Sequence, residues 1–533
     1  MKTCLKTYAL TLLSGILLAL SFPTAGLYPL AWVAVAPVFF RAARVTPARA
    51  ALHFLVAGWA FYSILLQWLV ANIYWAGGWA IWGHQLVCLI MAAYWALFGL
   101  LWRTLHKRIP AYLSALTAAM LWALMEYLQG VLFTGFGWGS LAYSQGPDLT
   151  LLQWAAVGGG ILVSGILVAS NALVGLLFAE ARLRLVRAAA VLVLVAGSHG
   201  VGALLLGQAD YASRPFTAGV FQANFPLEMK WDPEYTEEMV RNAVEKSQWL
   251  ATYEPVDLFV WPEALVTAPL DESPELVEMV AELTRETRTP LFTGAHGLGP
   301  TTGRPRNASF LVDEDGLIVE RYDKIHLAPF GEYVPLAEYL PFLGKVIPAI
   351  GDLEPGDQPK VLPVANRRCG PLICFEVLFP EMAEDLRERG ADCLIVITNL
   401  GWFGMSNAIP EELAIARVRA VETRLPLIHC ANTGISGVFD PFGRFEPVTS
   451  RFDAAGRHIQ YKDAAGRDFI MVRCAGALPV AAPGTRPVPF GPRVFPWLAL
   501  GVLVMSLILA VMLPGGETIQ TPKPGPAKPE KKK

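Results

Sequence analysis

Eight apolar runs, near residues 8–20, 27–40, 51–69, 85–105, 113–132, 151–178, 188–206 and 494–513, enclose a single long stretch that is rich in charge. A membrane-crossing helix needs about 20 apolar residues, so this pattern restricts the chain to a helical membrane frame carrying one polar domain. The first two runs are shorter than that length. Lys2 and Lys6 before the first run also suit a signal peptide, but Pro23-Thr24-Ala25 is a poor cleavage site, and the segment is expected to be retained. Composition agrees: 54% of the 533 residues are hydrophobic and 17% are charged, which is too little charge to solvate a soluble protein of this size.

The charges that flank the runs predict an orientation. Lys2 and Lys6, then Arg41, Arg44 and Arg49, then Arg103, Lys107 and Arg108, then Arg182, Arg184 and Arg187 fall in alternate loops, whereas the intervening loops 21–26, 71–84 and 134–148 are almost uncharged. Short cytoplasmic loops accumulate Lys and Arg, so both termini are expected in the cytoplasm and the long polar region on the outer, periplasmic face of the inner membrane. The predicted organisation is residues 1–207 as seven transmembrane helices, 208–485 as a periplasmic domain, 486–513 as an eighth transmembrane helix, and 514–533 as a disordered cytoplasmic tail. Glu126 lies within a span, where an acidic side chain is costly and pairs with a neighbouring helix.

Some function classes are excluded. The formal net charge of −2 and the lack of a basic or arginine-aromatic stripe exclude nucleic-acid binding. The seven cysteines have neither CxxC nor Cys/His metal spacing, so neither a metal nor a cofactor is expected. Whether Cys369 and Cys474 pair is left open by the sequence.

Within the polar region, 217–221, 256–261, 290–293, 308–312, 370–374 and 393–398 are short, apolar and β-compatible. Between them, 234–251, 274–287 and 410–424 carry helical periodicity. That alternation predicts a layered α/β domain.

Three groups supply candidate chemistry in chain order: Glu263 in Trp261-Pro262-Glu263, Lys324 in Tyr322-Asp323-Lys324-Ile325-His326, and Cys374 in Ile373-Cys374-Phe375-Glu376. Taken singly, each has an ordinary explanation: a surface carboxylate, a solvated partner of Asp323, and a buried thiol. Together they are the base, the cation and the nucleophile that thiol acyl chemistry requires.

With that ordered set, the chain resembles the nitrilase (carbon-nitrogen hydrolase) superfamily, whose Glu-Lys-Cys triad sits on a four-layer αββα sandwich. The segment from Tyr322 to Pro335 is similar to its membrane-embedded branch, the apolipoprotein N-acyltransferases. Also similar to that branch are Phe221-Gln222-Ala223-Asn224, Lys230-Trp231-Asp232, Thr398-Asn399, Trp402-Phe403-Gly404 and 431–436. In the membrane half, Glu126 and 134–138 agree. Departures are local: Phe375 follows the nucleophile where Tyr is common, and His429-Cys430 replaces an Arg-containing pair.

The resemblance implies catalysis by Glu263, Lys324 and Cys374. A fatty acyl chain would pass from a phospholipid, through a Cys374 thioester, to the α-amino group of a diacylglyceryl-apolipoprotein, in a protein acting as a monomer. It implies supporting roles for Glu332, Glu376 and the backbone N–H of Phe375. Trp231, Trp402 and Phe403 are expected to line the lipid entrance, with ordinary core packing as the alternative. The apolar stretch 336–350 is expected to form a lid or simply to pack against the domain. Two other functions compete: a membrane-tethered amidase or nitrilase that uses water as acceptor, and a transporter whose outer domain has lost catalysis. A hydrolase needs only one anchor, and the membrane half lacks the broken-helix signature of a coupled transporter.

Overall fold

The computed structural model describes residues 2–23, 25–72, 77–181, 183–207, 216–335, 353–364, 366–448, 450–452, 458–460, 472–487 and 491–512. Among them, five helices are long and apolar enough to cross a membrane: Pro47–Leu65, Ala80–His106, Gly160–Ala179, Arg184–Leu206 and Arg493–Met512. Two of the expected spans are broken. The 27–40 run is divided into a 3₁₀ turn, Tyr28–Trp32, and a short helix, Ala36–Ala42, each with a proline as its second residue, Pro29 and Pro37, which has no N–H to continue a preceding helix. The 151–178 run begins as two single turns, Leu149–Leu152 and Ala155–Gly158. It then bends at Gly159 (φ 77°), a backbone conformation glycine reaches at no steric cost, before the true span starts at Gly160. The helix Ser114–Val131 carries Glu126, whose carboxylate accepts hydrogen bonds from Trp122 Nε1 (2.8 Å), Ser140 Oγ (2.8 Å) and the Leu141 amide (3.1 Å). Its partners thus come from its own helix and from the 140–141 turn.

The polar region forms two stacked sheets. The first contains the strands Phe216–Gln222, Leu258–Val260, Leu291–Leu298, Pro305–Val312 and Ile318–Asp323. It is extended on its far side by Cys474–Val480, antiparallel to Phe216–Gln222. At the centre of the second, Arg367–Ile373, Cys393–Thr398 and Leu427–Ala431 run parallel. Alternation along each strand divides its side chains between two cores. Ile395 and Ile397 join Val220, Val260 and Phe292 between the sheets, whereas Leu394 and Val396 face the helices outside. The helices Thr236–Tyr253 and Pro274–Thr287 cover the first sheet, and Pro380–Glu388 and Ala408–Thr423 cover the second. This is the expected αββα sandwich.

The outer core of the second sheet is continuous with that of the membrane half. The helix Ala408–Thr423 carries the polar contacts of the junction. Beside its start, Asn407 Nδ2 donates to the Leu65 carbonyl (2.7 Å). Glu411 Oε2 accepts from Trp138 Nε1 (2.6 Å), and Glu422 Oε1 accepts from the Gly160 amide (2.6 Å). The amide freed where the apolar helix starts at Gly160 is thus capped by a carboxylate from the α/β domain, which ties the two halves together. Cys369 and Cys474 are both free thiols. The stretch 336–350, expected as a lid, and the tail 514–533 lie outside the described residues.

Candidate active site

Cys374 is the first residue beyond the strand Arg367–Ile373, where the chain tightens into a 3₁₀ turn, Cys374–Leu378. Its φ of 52° is left-handed, costly for a residue with a Cβ, and it lifts the thiol off the sheet axis. Glu263 is placed in a similar way. It leaves the strand Leu258–Val260 through Trp261-Pro262, and Ala264 after it is left-handed at φ 45°. Gly294 allows this turn to lie against the neighbouring strand, since a Cβ there would come within 2.6 Å of the Pro262 carbonyl and 2.7 Å of Glu263 Cα. Lys324 follows the strand Ile318–Asp323, with its amide bonded to the Asn307 carbonyl at 2.8 Å.

These ends meet in a buried ionic cluster. Lys324 Nζ lies 2.9 Å from Glu332 Oε2 and 3.4 Å from Glu263 Oε1, and its side chain is 1% exposed. Asn307 Nδ2 donates to Glu263 Oε1 and to Glu332 Oε1, at 2.8 Å each, so one amide holds both carboxylates beside one ammonium. Glu332 Oε2 also accepts from the Ala328 amide (2.7 Å), which closes the 328–332 loop. Burial and the Glu332 charge raise the pKa of Glu263, against the pull of Lys324, Asn307 and Lys230. Burial by itself would lower that of Lys324, but the Glu332 and Glu263 charges outweigh it and raise the value, so the ammonium stays charged. The Cys374 thiol is pushed well up by burial and by the Glu263 charge, with Lys324 opposing. The resting sulfur therefore carries its proton, next to a carboxylate tuned upward to accept one.

The second group of expected residues divides. Glu332 belongs to the cluster. Glu376 does not touch it: Oε1 accepts from Tyr322 Oη (2.8 Å) and the Ile325 (2.7 Å) and His326 (3.2 Å) amides, and Oε2 from the Ile373 amide (2.7 Å). It ties the strand ends of Lys324 and Cys374 together, and burial pushes its pKa up to about 7. The Phe375 ring stacks on Phe136 of the membrane half, with centroids 6.5 Å apart, and meets Phe379 edge-on at 5.4 Å. Trp231 packs against Trp402 (5.6 Å) and His296 (5.8 Å) next to the ionic cluster. Phe403 turns away and packs edge-on against Trp68 of the membrane half at 4.6 Å.

Two members of the site escape a sequence reading. Asn307 sits in Arg306-Asn307-Ala308, where nothing local marks it. Lys230 is 1% exposed, and its Nζ donates to the Glu263 backbone carbonyl at 2.7 Å. Burial lowers its pKa to about 8, with the charges of Glu263 and Cys374 opposing. Lys230 is marked only as part of the Lys230-Trp231-Asp232 resemblance, with no role, and it lies on a single helical turn, Leu227–Lys230, too short to show periodicity. A Lys230→Met variant is expected to lose roughly tenfold or more in turnover, because a charged hydrogen bond that holds the Glu263 backbone is worth about 1.5–3 kcal/mol. Its folded-state pKa is depressed, so at neutral pH the buried ammonium opposes folding. The variant should therefore unfold at an equal or higher temperature, and a fall in both activity and thermal midpoint would contradict this account.

Comparison with known proteins agrees with both halves. Residues 14–173 match the family model described as the apolipoprotein N-acyltransferase N-terminal domain, and residues 217–453 match that of carbon-nitrogen hydrolase. Apolipoprotein N-acyltransferase of Geobacter metallireducens is 34% identical over 497 residues, covering 90% of this chain and 95% of that protein. The chain belongs to the apolipoprotein N-acyltransferase family. Relatives of the same name from Azotobacter vinelandii (33% identical, 85% of this chain and 88% of that one) and Haemophilus influenzae (28%, 82% and 85%) extend across both halves. Among solved structures, Nit3 of Saccharomyces cerevisiae, a nitrilase-superfamily member, aligns with 44% of this chain and 86% of its own at 20% identity and a TM-score of 0.35. As a member of the apolipoprotein N-acyltransferases, this chain is an acyltransferase built on a nitrilase-like domain joined to an apolar helical bundle.

Proposed function

We propose that Glu263, Lys324 and Cys374 form the catalytic triad of a two-step transfer from phospholipid to the α-amino group of a diacylglyceryl-apolipoprotein. Glu263 takes the Cys374 proton as the sulfur attacks the ester carbonyl. Lys324 Nζ and the Phe375 amide face the oxyanion, and the proton on Glu263 leaves with the lysophospholipid, producing an acyl thioester. The lipoprotein amine then attacks the thioester, Glu263 takes the amine's proton, and the Cys374 sulfur leaves and is reprotonated.

The observation that carries this reading is the placement of the nucleophile. Its turn packs on the membrane half through Phe375 on Phe136, next to the Glu263-Lys324-Glu332 cluster. A thiol there meets lipid esters before soluble substrates. Trp231 and Trp402 are assigned to the lipid-facing rim, whereas Phe403 belongs to the domain junction. The charged loops support a periplasmic catalytic domain over residues 208–485, with both termini in the cytoplasm; that the protein acts as a monomer is part of the proposal.

Intact-mass measurement tests the proposal. Purified protein incubated with phospholipid vesicles should gain one fatty-acyl mass that is labile to hydroxylamine, absent in Cys374→Ala, and discharged by a diacylated lipopeptide. An adduct that persists in Cys374→Ala, or that water discharges as fast as the lipopeptide does, would overturn it.

A further inference from the structure

Three arginines gather at the end of the second sheet opposite Cys374. Cys374 leaves the sheet beyond the end of Arg367–Ile373, whereas Arg424 precedes the start of Leu427–Ala431, and these strands run parallel on either side of Cys393–Thr398. A seven-residue strand such as Arg367–Ile373 spans about 23 Å, so this end is separate from the catalytic cluster. Arg424 follows the helix Ala408–Thr423 in a left-handed turn (φ 54°), and its carbonyl accepts from the Gly484 amide at 2.7 Å. Two residues on, Arg486 pairs through Nη2 with Glu384 of the helix Pro380–Glu388. Arg387 lies one turn beyond Glu384 on that helix.

These guanidinium groups offer more donors than the surrounding protein satisfies. Arg424 is 1% exposed; its Nη1 donates to the Pro441 carbonyl at 3.0 Å, and the group lies over the Phe442 ring, 4.5 Å from its centroid. Arg424 Nε is buried without a hydrogen-bond partner among the described residues. The same is true of Arg387 Nη1 and of Arg486 Nε, the latter on a side chain 9% exposed. Other carboxylates of this region are engaged: Glu422 pairs with Arg419 at 2.9 Å, and Asp440 Oδ1 accepts from the Phe442 (2.9 Å) and Arg444 (2.8 Å) amides of its own hairpin. Among the described residues, Glu384 is thus the one carboxylate bonded directly to this trio. Burial and the Arg486 charge push the pKa of Arg387 down to about 10, against Glu384. Burial, Arg387 and Arg486 do the same to Arg424, against Asp440. Buried cationic donors without acceptors are costly, and an anion supplies what they lack.

The trio sits where the chain enters the apolar bundle. Arg493, at the start of the apolar helix Arg493–Met512, pairs with Asp385 and, at 2.7 Å, with Glu388, which flank Arg387 on its helix. The Phe442 carbonyl accepts from Gln153 Nε2 at 3.0 Å, just ahead of the apolar helix Gly160–Ala179. The charged heads of lipids lie at that level. We propose that Arg387, Arg424 and Arg486 bind the phosphate of an anionic phospholipid, at a site distinct from the one that supplies the acyl chain. Guanidinium groups match phosphate oxygens with directed N–H pairs, and the phosphodiester charge offsets the positive excess. A zwitterionic lipid would bring its own cation with it, so a headgroup of net negative charge is preferred. The bound lipid ties the ends of Pro380–Glu388 and Ala408–Thr423 to the segment that leads into the last apolar helix.

Thermal unfolding and native mass spectrometry of the full-length protein in a neutral detergent test this assignment without reference to Cys374. The probes are ether-linked phosphatidylglycerol, which has no ester to donate, ether-linked phosphatidylcholine, and inorganic phosphate. Phosphatidylglycerol should raise the midpoint by about 3 °C or more and remain bound as a single copy, with little effect from the other two. Arg387→Gln leaves the Arg486–Glu384 pair intact. Without lipid its midpoint should equal or exceed that of wild type, because an uncompensated buried charge is gone, while phosphatidylglycerol binds about tenfold more weakly or worse. A full phosphatidylglycerol shift in Arg387→Gln, a lipid-free midpoint below wild type in that variant, or an equal shift with phosphatidylcholine would overturn the site. A full shift with inorganic phosphate would make the ligand a free anion and overturn the lipid.

Discussion

A Lys324→Met variant is expected to form the acyl-enzyme about 100- to 1,000-fold more slowly, the usual effect of removing one oxyanion donor. The pH dependence should move with it. Lys324 is the main group holding the Glu263 pKa down, and Glu332 remains to push it up. Without the ammonium, Glu263 takes its proton at higher pH, less of the base is ionised at neutrality, and the rising limb of the rate profile shifts to higher pH. Stability should follow the same sign. Removing one partner of a buried ion cluster costs about 3–5 kcal/mol, because the charges left behind have no compensation. A carboxylate whose folded-state pKa is raised contributes stability below its unfolded pKa and loses that contribution as pH rises through the folded value. The variant should therefore be most destabilised at neutral and alkaline pH and recover toward pH 5. Thermal unfolding at the two ends of that range measures the difference, and an equal deficit at both would show that Lys324 acts by packing alone.

Glu263→Gln separates two effects that act in opposite directions on the same sulfur. Loss of the general base should slow acyl transfer by about 100- to 10,000-fold. The Glu263 charge also raises the Cys374 pKa, so its removal makes the thiol more acidic. Alkylation of Cys374 by iodoacetamide at a fixed neutral pH should accordingly become faster while acyl transfer almost stops. A variant slowed in both reactions would mean that glutamine had disturbed the pocket, in which case Glu263 would be only a structural carboxylate.

What was legible in the sequence had local causes. The strands 393–398 and 370–374 were visible because a buried parallel strand is an uninterrupted apolar run, and the helix Pro274–Thr287 because its apolar residues recur at helical spacing. The strand Cys474–Val480 was not visible. Its sequence, Cys-Ala-Gly-Ala-Leu-Pro-Val, has little β-propensity, and it is a strand because Phe216–Gln222 offers an edge more than two hundred residues away in the chain. The bend at Gly159 was missed because hydropathy averages across a break that leaves the apolar content unchanged.

The same division holds in the site. Glu263 and Cys374 stand out in the sequence because each follows an apolar run, and Lys324 because it belongs to a short, distinctive context. Their chemistry depends on neighbours that no local pattern announces. Asn307 joins two carboxylates through one amide, and Lys230 holds the Glu263 carbonyl. The sequence by itself determined the membrane frame, the layered domain and the order of the reactive groups, since hydropathy and periodicity act over a few residues at a time. Only the tertiary structure decided which charges share a dry pocket, and so which groups hold their protons, because burial and Coulomb interactions depend on distances between segments that the chain keeps far apart.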